Sequence, residues 1–357
     1  MLNKLTWRKS GFLVLVTALL ALAGIYSSKI TQADSLNDET QANNNYIDKV
    51  KQRGYLICGV SGEVPGFSFV NAEGKYVGMD VDLCRAVASA LFDNPDQVQF
   101  RDLNAEERFD ALKSGEIDLL SRNTTNTLSR DAKGNLEFTP TIFYDAQGVM
   151  VNRASGIKTL ADLEGKSVCV VENTTSYDNL RDYMSQKKIT YKPVVKSDRD
   201  TLFNNYEHNG CQAITGDSSF LIARRVLMAN PSEHQILPEK IAQEPLAPAI
   251  LYRDSQWLDA VKWVTFALIQ AEELDIKSTN LSSKKTSEDL EVRQFLGIDS
   301  NLGSKMGLTD DFTIRIIKHV GNYQEIYDRN IGEPFGLKRG KNALWKDGGL
   351  MYSPPFN

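Results

Sequence analysis

Apolar and polar residues of the chain alternate in two successive series of strand-like and helix-like segments. In the first series, these segments cover residues 55–60, 80–92, 97–103, 106–114 and 117–120. Segment 80–92 repeats apolar residues near helical spacing, whereas 55–60 is a short, continuous apolar run typical of a buried strand. This alternation predicts a parallel sheet with crossover helices.

The same alternation starts again in the second half of the chain. Its segments cover residues 167–171, 174–187, 191–195, 198–206, 211–215 and 217–229. A further helix is predicted at 258–271, and residues 275–357 have short helix and loop patterns that would wrap the first unit. Two α/β units are therefore predicted, which suits 357 residues at roughly 150 residues per domain.

Two β-rich segments, 147–151 and 248–252, could connect the two units, because turn or small residues flank them. If both cross, one lobe comprises 47–146 plus 252–357, and the other comprises 147–251 with the connecting segments. Two crossings form a hinge that bends while the lobes stay attached, which suits closure on a ligand. Two independent domains on a single linker are the alternative.

The first 33 residues have the pattern of an export signal. Three basic residues precede an uncharged, mostly apolar run at 11–26, and small residues precede Asp34. An uncleaved membrane anchor is the alternative, although the apolar run is short for a span of about 20 residues. Residues 34–46 are polar without apolar periodicity and are expected to form a flexible leader. We therefore expect a periplasmic location.

Net charge narrows the range of partners. Residues 1–33 hold four basic and no acidic residues, so the mature chain keeps 37 of its 41 basic residues against 46 acidic ones, a net charge of −9. A chain this acidic lacks the electrostatic footprint of nucleic-acid binding. Its partners are expected to be small molecules and one protein surface.

The chain contains four cysteines, Cys58, Cys84, Cys169 and Cys211. An even number in an exported protein suggests disulfides, and four cysteines allow three pairings. Their spacing favours Cys58–Cys84 and Cys169–Cys211, with one bridge inside each lobe. Buried free thiols are the alternative.

Polar groups directly follow the predicted strand at 117–120. Segment 121–130 (SRNTTNTLSR) occupies the carboxyl end of that strand, which is where ligands bind in open parallel sheets. Its hydroxyl and amide groups offer several hydrogen bonds. Arg130 adds a planar fork of donors that matches a carboxylate.

Two further strand ends carry candidate binding groups. Segment 172–176 (ENTTS) opens a helix, whose free amide groups and partial positive charge suit an anion. Asp217 follows the strand at 211–215 and could accept hydrogen bonds from an ammonium group. Taken alone, each is better explained as a helix N-cap. Together with Arg130, they complement both charged groups of a free amino acid.

Several of these motifs match a known family. Segments 78–86 (GMDVDLCRA), 114–125 (SGEIDLLSRNTT) and 149–171 resemble the polar amino acid family of periplasmic binding proteins, in particular its general L-amino acid subfamily (the AapJ/BztA type). The cysteine contexts and the motifs at 320–323 and 342–355 also resemble this subfamily. The resemblance implies the two-lobed type II periplasmic binding protein fold, with two hinge strands and mostly parallel sheets flanked by helices.

The resemblance also implies roles for individual residues. Arg130 would hold the α-carboxylate of the ligand, Asp217 would hold its α-ammonium group, and the two threonines would assist through backbone and hydroxyl groups. Asn123 stands where the family often has glycine, whose carbonyl accepts from the ammonium. The ligand-binding residues expected in this way are Arg130, Thr125, Asn123, Thr175, Asp217, Ser61 and Glu63. The last two fall in the loop where the family places groups near the ligand side chain.

These features predict the solute-binding subunit of an amino acid ABC importer, a monomer that binds free L-amino acids of broad range and delivers them to the permease subunits. No cofactor or metal is expected, and the chain is not expected to be an enzyme, because His208, His234 and His319 lie in no nucleophile or metal motif. An exported, dehydratase-like enzyme on the same fold is the alternative. A sensory receptor domain would need a membrane span and a signalling module after the lobes, and neither pattern is found.

Overall fold

The computed structural model of the protein describes residues 45–357. The predicted signal peptide at 1–33 and nearly all of the predicted leader at 34–46 lie outside the described residues. Residues 50–357 form one unit, which contains both main sheets. Across 45–357, no helix combines the length and the apolar character needed to cross a bilayer.

The bounds of the elements follow the predicted segments closely. The strands are β1 Leu56–Val60, β2 Glu63–Val64, β3 Ser68–Val70, β4 Tyr76–Val77, β5 Val98–Asp102, β6 Leu119–Leu120, β7 Leu136–Phe138, β8 Phe143–Asn152, β9 Ser167–Val171, β10 Lys192–Lys196, β11 Ala213–Asp217, β12 His234–Ile236, β13 Gln243–Leu246 and β14 Ala249–Leu251. The α-helices are α1 Tyr46–Arg53, α2 Met79–Phe92, α3 Arg108–Ser114, α4 Leu128–Gly134, α5 Thr175–Lys187, α6 Arg199–Glu207, α7 Ser218–Val226, α8 Ser255–Glu273, α9 Leu281–Lys284, α10 Leu290–Phe295, α11 Leu302–Lys305, α12 Phe312–His319, α13 Tyr323–Tyr327 and α14 Glu333–Phe335.

The first main sheet has the strand order β5-β1-β6-β14-β7. Strand β1 is parallel to both of its neighbours, with Cys58 opposite Phe100 in β5 and Leu119 in β6. Strand β14 is antiparallel to β6 and β7. Apolar side chains that include Leu112 and Ile117 form a core on this sheet. The core arises because the sheet and the helices packed on it bury their apolar faces against each other.

The second main sheet has the order β10-β9-β11-β8-β12. Strands β10 and β11 flank β9 in parallel, whereas β8 is antiparallel to β11 and β12. Its core includes Val149, Val168 and Leu180. The predicted α/β fold with sheets flanked by helices is confirmed, but each sheet is mixed rather than mostly parallel, because two of its four neighbouring strand pairs are antiparallel. We call the parts built on the first and second sheets the first lobe and the second lobe.

Two antiparallel strand segments run between the lobes. Residues 143–146 of β8 pair with β13, which places Glu244 opposite Asp145. This requires a correction to the expected connecting segments, because 147–151 pairs with β11 inside the second sheet and β14 pairs inside the first. The apolar character of those two segments reflects their burial within sheets, whereas the actual connecting strands carry two acidic residues.

Two disulfides and the C-terminal helices consolidate the lobes. Cys58 is bonded to Cys84, which joins β1 to α2, and Cys169 is bonded to Cys211 in the second lobe. Both pairings are those predicted from the spacing. Helix α12 packs against α2 and α8, so the C-terminal part lies on the first lobe as expected.

Candidate solute-binding site

A cavity lies where the polar segments after β6, β9 and β11 meet. The first lobe contributes Arg108, Asn123, Thr125 and Arg130 to its lining. The main contributions of the second lobe are Thr175, Arg199, Asp217 and Phe220. The cavity is therefore lined from both lobes and lies at the carboxyl ends of parallel strands, where binding sites of open α/β sheets are found.

Arg130 is held in the first turn of α4. The Thr127 side chain caps this helix by accepting from the Arg130 backbone N–H, at 3.3 Å. The Arg130 guanidinium donates from Nη1 to the Thr125 carbonyl at 2.7 Å and lies 5.3 Å from the centre of the Phe109 ring. These contacts fix one side of the guanidinium, so its remaining donors are available at the cavity.

Asp217 ends β11 and occupies the N-cap position of α7, yet its side chain caps nothing. The carboxylate instead accepts from Asn123 Nδ2 at 2.9 Å, across the cleft between the lobes. Burial raises the pKa of Asp217, and the nearby Arg199 guanidinium and the Asn123 hydrogen bond oppose this effect. A buried carboxylate with one amide partner is suited to accept from a ligand cation.

The backbone of Asn123 is positioned by a buried aspartate beneath it. Asp80 accepts from the Asn123 backbone N–H at 2.7 Å and from the Ser121 hydroxyl at 3.1 Å. Asn123 adopts a φ of 36°, a left-handed conformation that asparagine tolerates better than most residues. Desolvation raises the pKa of Asp80 to about 6, partly offset by these two hydrogen bonds. The loop of the first lobe is thus tied to α2 before it reaches the cavity.

Glu244 on the connecting strand β13 bonds to both lobes. Its carboxyl group accepts from the Thr125 hydroxyl of the first lobe, and from the Thr175 hydroxyl and Asn179 amide of the second lobe at 2.9 Å each. Burial raises the pKa of Glu244 to about 7, with a further contribution from Asp217. This side chain therefore joins the hinge to the two threonines that line the cavity.

Two more guanidinium groups line the cavity. Arg199, at the start of α6, lies 5.1 Å from the centre of the Phe220 ring and donates to Asn123 Oδ1 at 3.4 Å. Arg108, at the start of α3, donates to the Asn173 carbonyl of the other lobe at 3.2 Å. Burial lowers the pKa of both guanidinium groups. They add positive charge beside Arg130.

The structure brings five of the seven expected ligand-binding residues to this cavity: Asn123, Thr125, Arg130, Thr175 and Asp217. Ser61 and Glu63 are not among its lining residues. Ser61 follows β1, and its backbone N–H donates to the Ser68 hydroxyl at 3.0 Å. Glu63 lies in β2, half-buried, and burial together with a hydrogen bond to Asp198 raises its pKa.

Sequence reasoning missed Arg108, Arg199 and Glu244. Arg199 begins a helix, and two residues separate it from the end of β10, so the strand-end argument that singled out Asp217 would also have found it. Arg108 and Glu244 had no comparable signal. Five residues separate Arg108 from the end of β5, and β13 is a four-residue strand that pairs with β8 and, at Leu246, with Thr125.

The chemistry of this site is that of binding. It offers guanidinium groups, free amide groups at the start of α5 and one buried carboxylate, a set that complements a small molecule with both charges. Within residues 45–357, no cluster of histidine, cysteine or acidic side chains has the arrangement of a metal site. The fold and the site together define a two-lobed α/β protein that holds a small solute in the cleft.

The chain belongs to the bacterial extracellular solute-binding proteins, family 3, whose family model matches residues 56–333. It is 44% identical over 313 residues to the "General L-amino acid-binding periplasmic protein AapJ" of Rhizobium johnstonii, covering 87% of this chain and 92% of that one. It is 42% identical, over 87% of this chain and 93% of the relative, to the "Glutamate/glutamine/aspartate/asparagine-binding protein BztA" of Rhodobacter capsulatus.

A solved structure has the same fold throughout. It is a periplasmic binding protein from Brucella ovis with glutathione bound, which superposes with a TM-score of 0.86 at 42% identity and covers 88% of this chain and 100% of that one. The resemblance predicted from the motifs is therefore confirmed. The family consists of solute-binding proteins, and the chain is a binding protein rather than an enzyme.

Proposed function

We propose that this chain is the extracytoplasmic subunit of an ABC importer and binds free L-amino acids in the cleft between its lobes. One observation carries the proposal: Arg130 from the first lobe and Asp217 from the second lobe line a single cavity. A guanidinium and a carboxylate on opposite lobes match the carboxylate and ammonium of an amino acid, so the ligand favours the closed state.

The hydrogen bonds of the site suggest which charged group of the ligand each lobe binds. Arg130 receives the α-carboxylate, together with the free amide groups of Thr175 and Ser176 in the first turn of α5. The hydroxyl groups of Thr125 and Thr175 already donate to Glu244, so their backbone groups make the larger contribution. Asp217 receives the α-ammonium group. Asn123 keeps the Asp217 carboxylate oriented toward the cavity.

The remaining parts of the proposal concern delivery. Residues 1–33 direct export to the periplasm, and an uncleaved anchor is the alternative. The protein acts as a monomer whose closed form docks on the permease subunits of the membrane. The two lobes rotate about the connecting strands, residues 143–146 of β8 and 243–246 of β13. The similarity to AapJ and BztA, which are named as amino acid-binding proteins, supports this proposal.

Glutathione is a second candidate ligand, because the Brucella ovis relative has it bound. The γ-glutamyl end of glutathione carries a free α-carboxylate and a free α-ammonium group, as a single amino acid does. The same pair of residues, Arg130 and Asp217, could therefore hold it.

Thermal unfolding in the presence of each of the twenty L-amino acids and glutathione tests the proposal. A ligand that binds only the folded protein raises its melting temperature. We expect one or more amino acids to raise it, and expect propionate and ethylamine, which each carry only one of the two charged groups, to leave it unchanged. No shift with any amino acid, for a protein shown by circular dichroism to be folded, would contradict the proposal.

A further inference from the structure

The lining of the cavity holds more positive charge than a neutral amino acid requires. Three guanidinium groups face a single carboxylate among the lining residues: Arg108, Arg130 and Arg199 against Asp217. A zwitterion that pairs with Arg130 and Asp217 has no net charge. It therefore leaves the excess of two positive charges as it was.

Neither of the two remaining guanidinium groups forms an ion pair at contact distance. Arg108 is 2% exposed and Arg199 is 8% exposed. Within residues 45–357, no carboxylate lies within 4.0 Å of either group, although Asp217 lies near enough to influence both, and Glu63 and Asp80 near enough to influence Arg199. A buried charge without an ion pair is costly, because desolvation is not offset by a partner.

The Arg108 side chain has an unused donor as well. Its Nε is buried, and among the described residues it has no hydrogen-bond partner. Buried donors without partners are uncommon in native proteins and call for an explanation. Since Arg108 lines the cavity, an acceptor group on a bound ligand would provide the missing hydrogen-bond partner.

We infer that the site favours ligands with a second carboxylate, in addition to the α-carboxylate held by Arg130, and that Arg108 and Arg199 bind it. This inference rests on the proposed function and narrows its ligand class. An acidic amino acid and a γ-glutamyl peptide share this chemistry, since glutamate carries the second carboxylate on its side chain and glutathione carries it on its glycine. Both lower the positive excess of the cavity from two to one.

Isothermal titration of the full-length mature protein with pairs of nearly isosteric ligands tests the inference. At pH 7.5 the acidic members of each pair are ionised. We expect glutamate to bind at least about tenfold tighter than glutamine, and aspartate tighter than asparagine, because a charge-assisted bond is about twice as strong as a neutral one. Glutathione is compared with its glycine ethyl ester, so that the arms distinguish an acidic amino acid from a γ-glutamyl peptide.

Two variants and a matched control complete the test. Arg199→Met and Arg108→Met remove the charge and keep much of the volume, and each is expected to lower the glutamate-to-glutamine affinity ratio at least about tenfold. Arg181→Met removes an exposed arginine paired on the surface with Asp178 and Asp182, and should leave the ratio unchanged.

The outcomes separate this inference from the proposed function. The inference is overturned if the wild-type protein binds glutamine and glutamate equally. It is also overturned if the glutamate-to-glutamine affinity ratio is unchanged in both arginine variants. In either case the proposed amino acid binding stands. If no amino acid binds at all, the proposed function itself fails. The wild-type comparison decides the matter even where a buried-arginine variant does not fold.

Discussion

Arg130 and Asp217 define the ligand-binding account at the scale of single residues. Every L-amino acid presents the same α-carboxylate, so the contribution of Arg130 should not depend on the ligand side chain. We expect Arg130→Ala to weaken binding of all amino acid ligands by roughly thirtyfold or more, because truncating one partner of a buried charged contact costs about 2–5 kcal/mol.

Titration calorimetry with three chemically different ligands measures this effect. Arg181→Ala is the control, since Arg181 is exposed and paired with its helix neighbours. If Arg130→Ala changed only the order of preference among amino acids, Arg130 would contact the ligand side chain. Its assignment to the α-carboxylate would then be wrong.

Single residues also mark the limit of what the sequence can predict. Arg130, Asp217 and Thr175 were identified because strands and helices are recognisable from periodicity and their ends are known. Glu63 was carried over from a family position, and it lies near Asp198 and the lining residue Arg199 without lining the cavity itself. Which of several polar loop residues turns into a cleft depends on the closure of the two lobes, and this is not encoded in local periodicity.

The connecting strands are the functional element that the sequence analysis located least well. The β-rich segments 147–151 and 248–252 had the composition of connectors, but 147–151 and 249–251 pair within the sheets. Strand β13 carries Glu244, whose bonds to Thr125 and Thr175 join the hinge to both lobes. A short strand with a central acidic residue gives no hydrophobic pattern by which it could be recognised.

The raised pKa of Glu244 predicts that the free energy of unfolding depends on pH. Its pKa is raised by burial from 4.5 to about 7, so between these values the folded protein binds more protons at this site than the unfolded chain does. The contribution of Glu244 to stability is therefore complete below pH 4.5 and is lost as the pH rises through 7. Relative to Glu244→Gln, the wild type should lose up to about 3 kcal/mol of stability between pH 5 and pH 8.

Urea unfolding of both proteins at several pH values measures the difference. Glu106→Gln, at an exposed glutamate of the first lobe, is the control and should follow the wild type at every pH. A constant difference between wild type and Glu244→Gln across this range would mean that Glu244 does not carry a raised pKa in the folded protein.

The disulfides make a second prediction at the scale of elements. Sequence separations of 26 and 42 residues correspond to a loss of about 3–4 kcal/mol in the free energy of unfolding for each bridge removed, by the entropy of the closed loop. The double variants Cys58→Ala/Cys84→Ala and Cys169→Ala/Cys211→Ala should each unfold at lower urea than the wild type. If thiol titration of the unfolded wild type finds four free thiols, neither bridge exists.

At the scale of the whole molecule, most of the architecture could be predicted. The repeated alternation of strands and helices indicated two α/β units, and each sheet has a parallel part as expected, although two of its four neighbouring strand pairs are antiparallel. The contribution of the C-terminal helices to the first lobe was also expected. The small sheet of β2, β3 and β4 was not predicted, because strands of two or three residues are too short to have a measurable period.

Closure of the lobes is the prediction that belongs to this scale. Across the cleft, Asn123 bonds to Asp217 and Arg108 bonds to Asn173, while excess positive charge in the lining opposes closure without a ligand. Saturating ligand should therefore reduce the radius of gyration by about 1 Å, from roughly 20 Å for a compact protein of this size, by rotation about the hinge. Small-angle X-ray scattering measures this change.

Arg130→Ala at the same ligand concentration provides the comparison for scattering and should remain at the larger radius. An unchanged radius for the wild type, under conditions where calorimetry demonstrates saturation, would mean that ligand binding and lobe closure are not coupled.

A crystal structure of the protein with the amino acid that gives the largest thermal shift tests the central claim most directly. We expect the ligand α-carboxylate at hydrogen-bond distance, about 3 Å, from the Arg130 guanidinium, and the α-ammonium group at a similar distance from the Asp217 carboxylate. A ligand bound in another part of the molecule, or one whose charged groups contact neither Arg130 nor Asp217, would contradict the account.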